Sequence, residues 1–417
     1  MPQGKLAAAR VATCLARIAD RDPLIHAWAA VEREYALRQA AALDAEPVRG
    51  PLHGLPIAVK DIIDTADLRT EYGSPIYRGH RPAADAACVA LARAAGAVIL
   101  GKTVTTEFAM YSPAATVNPR HFGHTPGGSS SGSAAAVADG MAPLAFATQT
   151  AGSIIRPASY CGIVGYKPSY GFVPRAGVKL VAESLDTVGV LARDVQDAAR
   201  FIGALTARGD LLALRETGRP PRIGFCRTPD WDAVDPAAQS SFERTGQALA
   251  AAGSHVRPID LPEGFAALGG AHAAIMAYEA ARSLAHERLA HADLLSVRLR
   301  SELEAGSEVD AARYDAAQRL ALEWRVRLAQ VFGDCDVLLA PSSTGEAPRG
   351  LDSTGSPIMN RVWTLLHVPC VGVPAGNGPN GLPLGVQAIG RYGDDARTLA
   401  AAAWIADCLR GSAAPPS

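Results

Sequence analysis

Thr125-Pro-Gly-Gly-Ser-Ser-Ser-Gly-Ser133 and Thr148-Gln-Thr-Ala-Gly-Ser-Ile-Ile-Arg156 are two Gly/Ser turns on either side of an alanine-rich segment, Ala134 to Ala147. Glycine permits backbone conformations and close approaches that a side chain blocks, and serine brings a hydroxyl that can donate, accept or attack. The bland reading of such text is a flexible linker. Ala134-Ala-Ala-Val-Ala138 and Leu144-Ala-Phe-Ala147 oppose it, because they read as a buried helix and a buried strand. The two turns therefore read as a catalytic or anion-binding site carried on a packed scaffold.

Working outward, residues 5–46 have helical spacing, and Asp22-Pro23 marks a break between two helices. Ile57-Ala-Val-Lys-Asp-Ile-Ile63 is a short apolar run interrupted by Lys60 and Asp61, and reads as a buried strand. Ala83 to Gly96 is an amphipathic helix, Ala97–Leu100 a strand, and Tyr111 to Gly128 a loop rich in proline and glycine. A strand at Leu144–Thr148 leads through a tight turn into a helix beginning near Ile154. Further on, Ile223–Phe225, His255–Leu261, Asp336–Ala340 and Leu384–Ile389 are strands; Ala237–Ala252, most of Ala266–Phe332 and Asp395–Leu409 are helical. Residues 411–417 read as a disordered tail. Strands alternating with helices predict an α/β layered fold, and no linker is long enough to divide it.

The chain has 417 residues, 48% of them hydrophobic, and balances 40 basic against 41 acidic side chains. That balance supplies no field for nucleic acid or an anionic membrane surface, and no stretch has the length of a membrane span. Seven cysteines at scattered positions form neither a disulfide framework nor a zinc pattern. The expectation is a cytoplasmic protein with reduced thiols and no nucleic-acid or membrane partner.

Three candidates carry chemistry. Lys60 lies in an apolar run, where it either snorkels or pairs with Asp61, or is buried and held in its neutral, basic form. Ser153 follows Thr-Ala-Gly at a helix start, which aims backbone N–H groups at a nearby oxygen; the plainer reading is an N-cap. Ser129 to Ser131 are turn hydroxyls unless a partner gives them a role. Histidines 53, 121 and 124 invite a Ser-His alternative, but His121 and His124 lie in a loop without a partnered Asp pattern, and no paired metal-ligand spacing appears, so no metal is expected.

Taken together, His53-Gly-Leu-Pro-Ile-Ala-Val-Lys-Asp61, Gly101-Lys-Thr-Val-Thr-Thr-Glu-Phe-Ala109, Pro126-Gly-Gly-Ser-Ser-Ser-Gly-Ser-Ala-Ala-Ala136, Ala151-Gly-Ser-Ile-Ile-Arg-Pro-Ala158 and Cys161-Gly-Ile-Val-Gly-Tyr-Lys-Pro168 resemble the amidase signature family, as does Pro383-Leu-Gly-Val-Gln387. The resemblance implies one large α/β domain over residues 1–417, with a central mixed sheet covered by helices on both faces. Within it, 1–50 would hold N-terminal helices, 51–200 the catalytic core, 221–335 a variable helical region, and 336–410 closing strands and a helix. It also implies Lys60 as base, Ser129 as the middle serine behind a cis Gly128-Ser129 peptide, and Ser153 as nucleophile. The N–H groups of Thr150, Ala151, Gly152 and Ser153 would form the oxyanion hole, with Ser130 and Ser131 supporting the turn. No cofactor is implied. Met110, Tyr111 and Trp363 are candidate pocket walls, with core packing as their alternative. Gln149 stands where the family has Asp, Ala151 where it has Gly, and the arginine two residues past the nucleophile is displaced to Arg156; a neutral support in place of an ion pair is expected.

The function implied is hydrolysis of a small carboxamide through a serine acyl-enzyme. The alternatives are the glutamine-hydrolysing subunit of a tRNA-dependent amidotransferase, which requires partner subunits, and a catalytically inactive scaffold. Assembly as a homodimer is left open.

Overall fold

The computed structural model describes residues 6–214 and 218–412. Eleven strands form one mixed sheet in the order β1-β3-β2-β4-β6-β5-β10-β11-β9-β7-β8. The strands are β1 (Trp28–Val31), β2 (Pro56–Lys60), β3 (Val98–Thr103), β4 (Leu144–Gln149), β5 (Val164–Lys167), β6 (Thr187–Ala192), β7 (Ile223–Cys226), β8 (Val256–Ile259), β9 (Val337–Pro341), β10 (Cys370–Asn377) and β11 (Pro383–Ile389). The helices are α1 (Leu6–Ile25), α2 (Arg33–Asp44), α3 (Ala87–Ala94), α4 (Ser131–Ala138), α5 (Ile155–Cys161), α6 (Val195–Thr206), α7 (Gly209–Leu212), α8 (Pro236–Ala251), α9 (Leu268–Ser283), α10 (Ala285–Ala290), α11 (Val297–Ser307), α12 (Ala311–Phe332), α13 (Ile358–Leu365) and α14 (Asp395–Ser412).

Side chains on a strand alternate between the two faces of the sheet, and each face has its own core. In β4, Ala145 and Ala147 face the layer containing α4 and α5, whereas Leu144 and Phe146 face α6. The small residues on the first face let α4 lie close. Gly132 within α4 marks the closest approach: a Cβ there would stand 2.2 Å from the carbonyl oxygen of Ala27 and 2.4 Å from the nitrogen of Val104. Alanine and glycine here are a packing requirement, which explains the composition of the stretch that the two turns enclose.

Strands β5, β6 and β10 add to those expected from sequence, and the expected boundaries change in several places. Pro23 lies inside the last turn of α1, and the break after it is the edge strand β1, which pairs antiparallel with β3. The apolar run at 57–63 stops being strand at Lys60, where the chain turns. The helix α14 runs to Ser412, so the expected tail at 411–417 begins within it; residues 413–417 lie outside the described residues. No described helix is long and apolar enough to cross a membrane. All seven cysteines are free, six of them buried.

Candidate active site

Lys60 ends β2 with no solvent exposure. Its Nζ lies 2.8 Å from Ser129 Oγ and 2.8 Å from Thr148 Oγ1. Burial pushes its pKa down to about 7, helped by the positive charge of Arg156 and opposed by Asp186. The snorkelling and Asp61-pairing alternatives both fail: Asp61 is bound instead by Lys102, 3.1 Å away. Ser129 follows Gly128 across a cis peptide bond, as expected, and lies two residues before α4 in the turn that contains Gly127, whose φ is +81°. A Cβ at Gly127 would meet Cα of Pro157 at 2.8 Å, so the turn packs directly against α5.

The neighbouring serines do structural work. Ser130 Oγ donates to the carbonyl of Thr148 and accepts from its N–H, and Ser131 Oγ donates to the carbonyl of Val104. They fasten the turn to its surroundings, whereas the second contact of the lysine comes from Thr148.

Ser153 lies in the turn between β4 and α5 and is largely buried. Among the described residues, none accepts a hydrogen bond from the backbone N–H of Ala151, Gly152 or Ser153. The next two N–H groups, of Ile154 and Ile155, donate to Gln149 Oε1 at 2.9 and 3.0 Å. Gln149 Nε2 donates to Thr364 Oγ1, which in turn donates to the carbonyl of Ala151. A neutral carboxamide thus organises the head of α5, in keeping with the loss of the Asp and Arg together. Thr150 is held at both ends: His272 Nε2 donates to its carbonyl over 2.9 Å, and its hydroxyl donates to Asp186 Oδ1. Burial lowers the pKa of His272 to about 4, leaving the ring neutral.

Ser129, Thr150, Ala151 and Ser153 all line one cavity of about 680 Å³, counting its open mouth. Ser129 and Ser153 share this space without a mutual hydrogen bond among those of the described residues. Met110 and Tyr111 line the same cavity. Trp363 does not: it is 1% exposed and packs in the core against Phe265, because α13 turns its apolar face inward. Among His53, His121 and His124, none lines the cavity; the latter two pack edge to face against each other.

Two cationic liners carry no mark in the sequence as pocket walls. Arg156 is buried, and Nη2 donates to the carbonyl of Gly128 at 2.6 Å and to Thr354 Oγ1 at 3.1 Å. Its Nε has no hydrogen-bond partner among the described residues, and burial lowers its pKa to about 10, far above neutrality. Arg298, from α11, lies over the ring of Tyr111 with its guanidinium 5.0 Å from the centroid. The arginine at 156 is visible in the motif, but the cavity it faces is closed by residues some 200 positions later.

The sequence model of the family named Amidase matches residues 9–399. The chain belongs to the amidase signature family. Among its relatives, the A subunit of the glutamyl-tRNA(Gln) amidotransferase of Koribacter versatilis (strain Ellin345) is 34% identical, with 92% of this chain and 91% of the relative aligned. A chain solved in a vestigial complex that reveals the evolutionary origins of an s-triazine catabolic enzyme superposes with a TM-score of 0.89 at 28% identity, covering 98% of this amidase and 95% of that chain. The peptide amidase of Stenotrophomonas maltophilia superposes with a TM-score of 0.81 at 28% identity over 97% of this chain and 94% of its own. As a member of that family, with a peptide amidase among its structural neighbours, the chain is an amide hydrolase.

Proposed function

We propose that the chain hydrolyses the carboxamide of a small substrate that also carries a carboxylate, through an acyl-enzyme on Ser153. The observation that carries the catalytic half is the buried Lys60, with Nζ on the Ser129 hydroxyl and a pKa pushed down to about 7. A neutral lysine takes the Ser129 proton as Ser129 takes that of Ser153, and the freed Oγ attacks the amide carbon. The resulting oxyanion is received by the N–H groups at Ala151, Gly152 and Ser153, with Thr150 at the head of the turn. Lys60 then returns the proton through Ser129 to the leaving nitrogen, and water releases the acid by the same relay in reverse.

The acidic substrate rests on Arg156. A buried guanidinium with no carboxylate partner among the described residues favours an anion brought by the substrate, and the exposed Arg298 adds a second positive charge. The relatives favour a second reading that meets the same requirement. Glutamine carries both a carboxamide and a carboxylate, and several relatives at 32–34% identity are A subunits of the glutamyl-tRNA(Gln) amidotransferase. Under that reading the chain works with partner subunits. Ammonia release by the purified chain alone, from a panel of neutral amides, monoamides of dicarboxylic acids and glutamine, separates the cases. Turnover of acidic monoamides in preference to neutral amides supports the first reading. Activity confined to glutamine and dependent on added partner subunits supports the second, and equal turnover of neutral amides defeats the acidic-substrate reading.

A further inference from the structure

Lys60 and Asp186 are both buried ionisable groups, and neither forms an ion pair among the described residues. They are linked through one strand. Thr148, in β4, contacts Lys60 Nζ at 2.8 Å, and Thr150, two positions on, donates its hydroxyl to Asp186 Oδ1. Asp186 stands just before β6, which runs antiparallel to β4 with Thr187 opposite Gln149. Its other oxygen, Oδ2, accepts from the backbone N–H of Val181 at 2.7 Å and of Ala182 at 3.1 Å. Thr150 and Val181 both line the substrate cavity.

We propose that Asp186 is a positioning residue of the amide-cleaving site, fixing Thr150 at the head of the oxyanion turn and standing as countercharge to the Lys60 ammonium formed when the nucleophile loses its proton. The proposal rests on the reading of Lys60 as base. Three donors converge on this carboxylate from two directions, so a group that accepts on both oxygens is required. An asparagine would keep an acceptor for Thr150 but turn an NH₂ toward the N–H groups of Val181 and Ala182. A buried carboxylate without a cationic partner is costly unless it is hydrogen-bonded. Here the carboxylate holds Thr150, two positions from the Thr148 that contacts the one lysine that must gain charge during each turnover.

The charges around both groups are few. Lys60 faces Ser129 from the turn before α4, Thr148 from β4, Arg156 from α5 and Asp186 from the segment before β6. Asp186 faces Thr150, the two backbone donors and Arg175, whose guanidinium donates to the Asp186 carbonyl at 3.1 Å. Burial raises the Asp186 pKa to about 6, so it is ionised when the site operates near neutrality. Its negative charge holds the Lys60 pKa up; removing that charge lowers it. The acid limb of the rate profile must then move to lower pH while the plateau falls, because Lys60 becomes a weaker base.

The test is kcat/KM for ammonia release between pH 5 and 9, with the rate of Ser153 labelling by a fluorophosphonate, in wild type, Asp186→Asn and Thr150→Val. In Asp186→Asn the acid limb should move down by about one pH unit, the shift expected from one opposite charge nearby. Its plateau kcat should fall about tenfold, less than the roughly hundredfold or more that loss of the base itself would cost, with KM little changed. Thr150→Val should be slower with its acid limb in the wild-type place. An Asp186→Asn protein with an unmoved limb, or with wild-type kcat, overturns the proposal, and so does Thr150→Val at wild-type rate. If Asp186→Asn fails to fold, Thr150→Val decides alone. A wild-type chain that neither labels at Ser153 nor releases ammonia defeats the Lys-Ser-Ser reading itself, and the proposal with it.

Discussion

The two walls of the candidate active site are built differently. One is the sheet side, where β2, β4, α4 and α5 meet through glycine, alanine and serine, and the backbones themselves are in contact. The other is the helical region α9–α12, whose helices carry charges outward and reach the site through individual side chains. From α9 come His272 on the Thr150 carbonyl and Met276 in the cavity; from α11 comes Arg298. Side-chain ties dock this wall: Glu287 accepts from the Tyr77 hydroxyl at 2.5 Å and pairs with Lys179 at 2.6 Å, and Arg325 donates to the carbonyl of Leu365. Glu279 accepts from the N–H and hydroxyl of Ser184, and the N–H of Ser296, at the head of α11, donates to Glu107. The sheet side sets distances that chemistry depends on, so it tolerates no added atom. The helical side reaches the cavity through side chains, although within it α11 also meets the backbone of α9, where a Cβ at Gly306 would stand 2.3 Å from the carbonyl oxygen of Ala277.

The comparison breaks most directly at the nucleophile. Ser153→Ala should reduce ammonia release by about three orders of magnitude or more, the scale seen when an acyl-transfer nucleophile is removed, with an unchanged unfolding midpoint. Retention of a few per cent of turnover would place the chemistry elsewhere.

Next in size is Lys60→Arg, which keeps the positive charge and removes the base, since arginine does not give up its proton. The expected loss is about a hundredfold or more, the range for a general base. For wild type, the Lys60 pKa of about 7 means the neutral form dominates above that pH and the ammonium below it. Activity should therefore rise with pH through about 7 and fall tenfold per unit on the acid side. A flat profile across this window would show that Lys60 is not the base.

Two alanine substitutions sharpen the contrast between the walls. At Gly132 the new Cβ would collide with backbone atoms of Ala27 and Val104, so Gly132→Ala should cost about 3 kcal/mol in urea unfolding. Exposed Gly270, near the start of α9, has nothing within 4 Å of its would-be Cβ. Gly270→Ala should instead stabilise by about 0.5–1 kcal/mol, from helix propensity and a less flexible unfolded chain. Equal effects at the two sites would erase the distinction. A smaller effect is expected at the rim: Arg298→Ala should raise KM for an acidic amide roughly fivefold, the worth of an exposed charge contact, and leave kcat in place.

Lys60, Ser129 and Ser153 are legible in the sequence because each lies in a short local motif whose glycines and serines have no better explanation. The same holds for the α/β layering and for the alanine-rich helix and strand between the turns. Sequence alone could not say that Lys60 turns away from its neighbour Asp61, which binds Lys102 instead. Nor could it tell a tryptophan of the core from one of the pocket, and Trp363 went to the core. Strands β5, β6 and β10 escape a sequence reading for a related reason. They are buried in mid-sheet, and short apolar text between glycines and prolines has no period of its own. Arg156, Asp186, His272 and Arg298 acquire meaning only from partners tens to about 200 positions away. Local text determines which backbone can turn and which side chain can react. Which charge is left unpaired, and which cavity it faces, is settled by burial and long-range packing, and these exist only once the chain has folded.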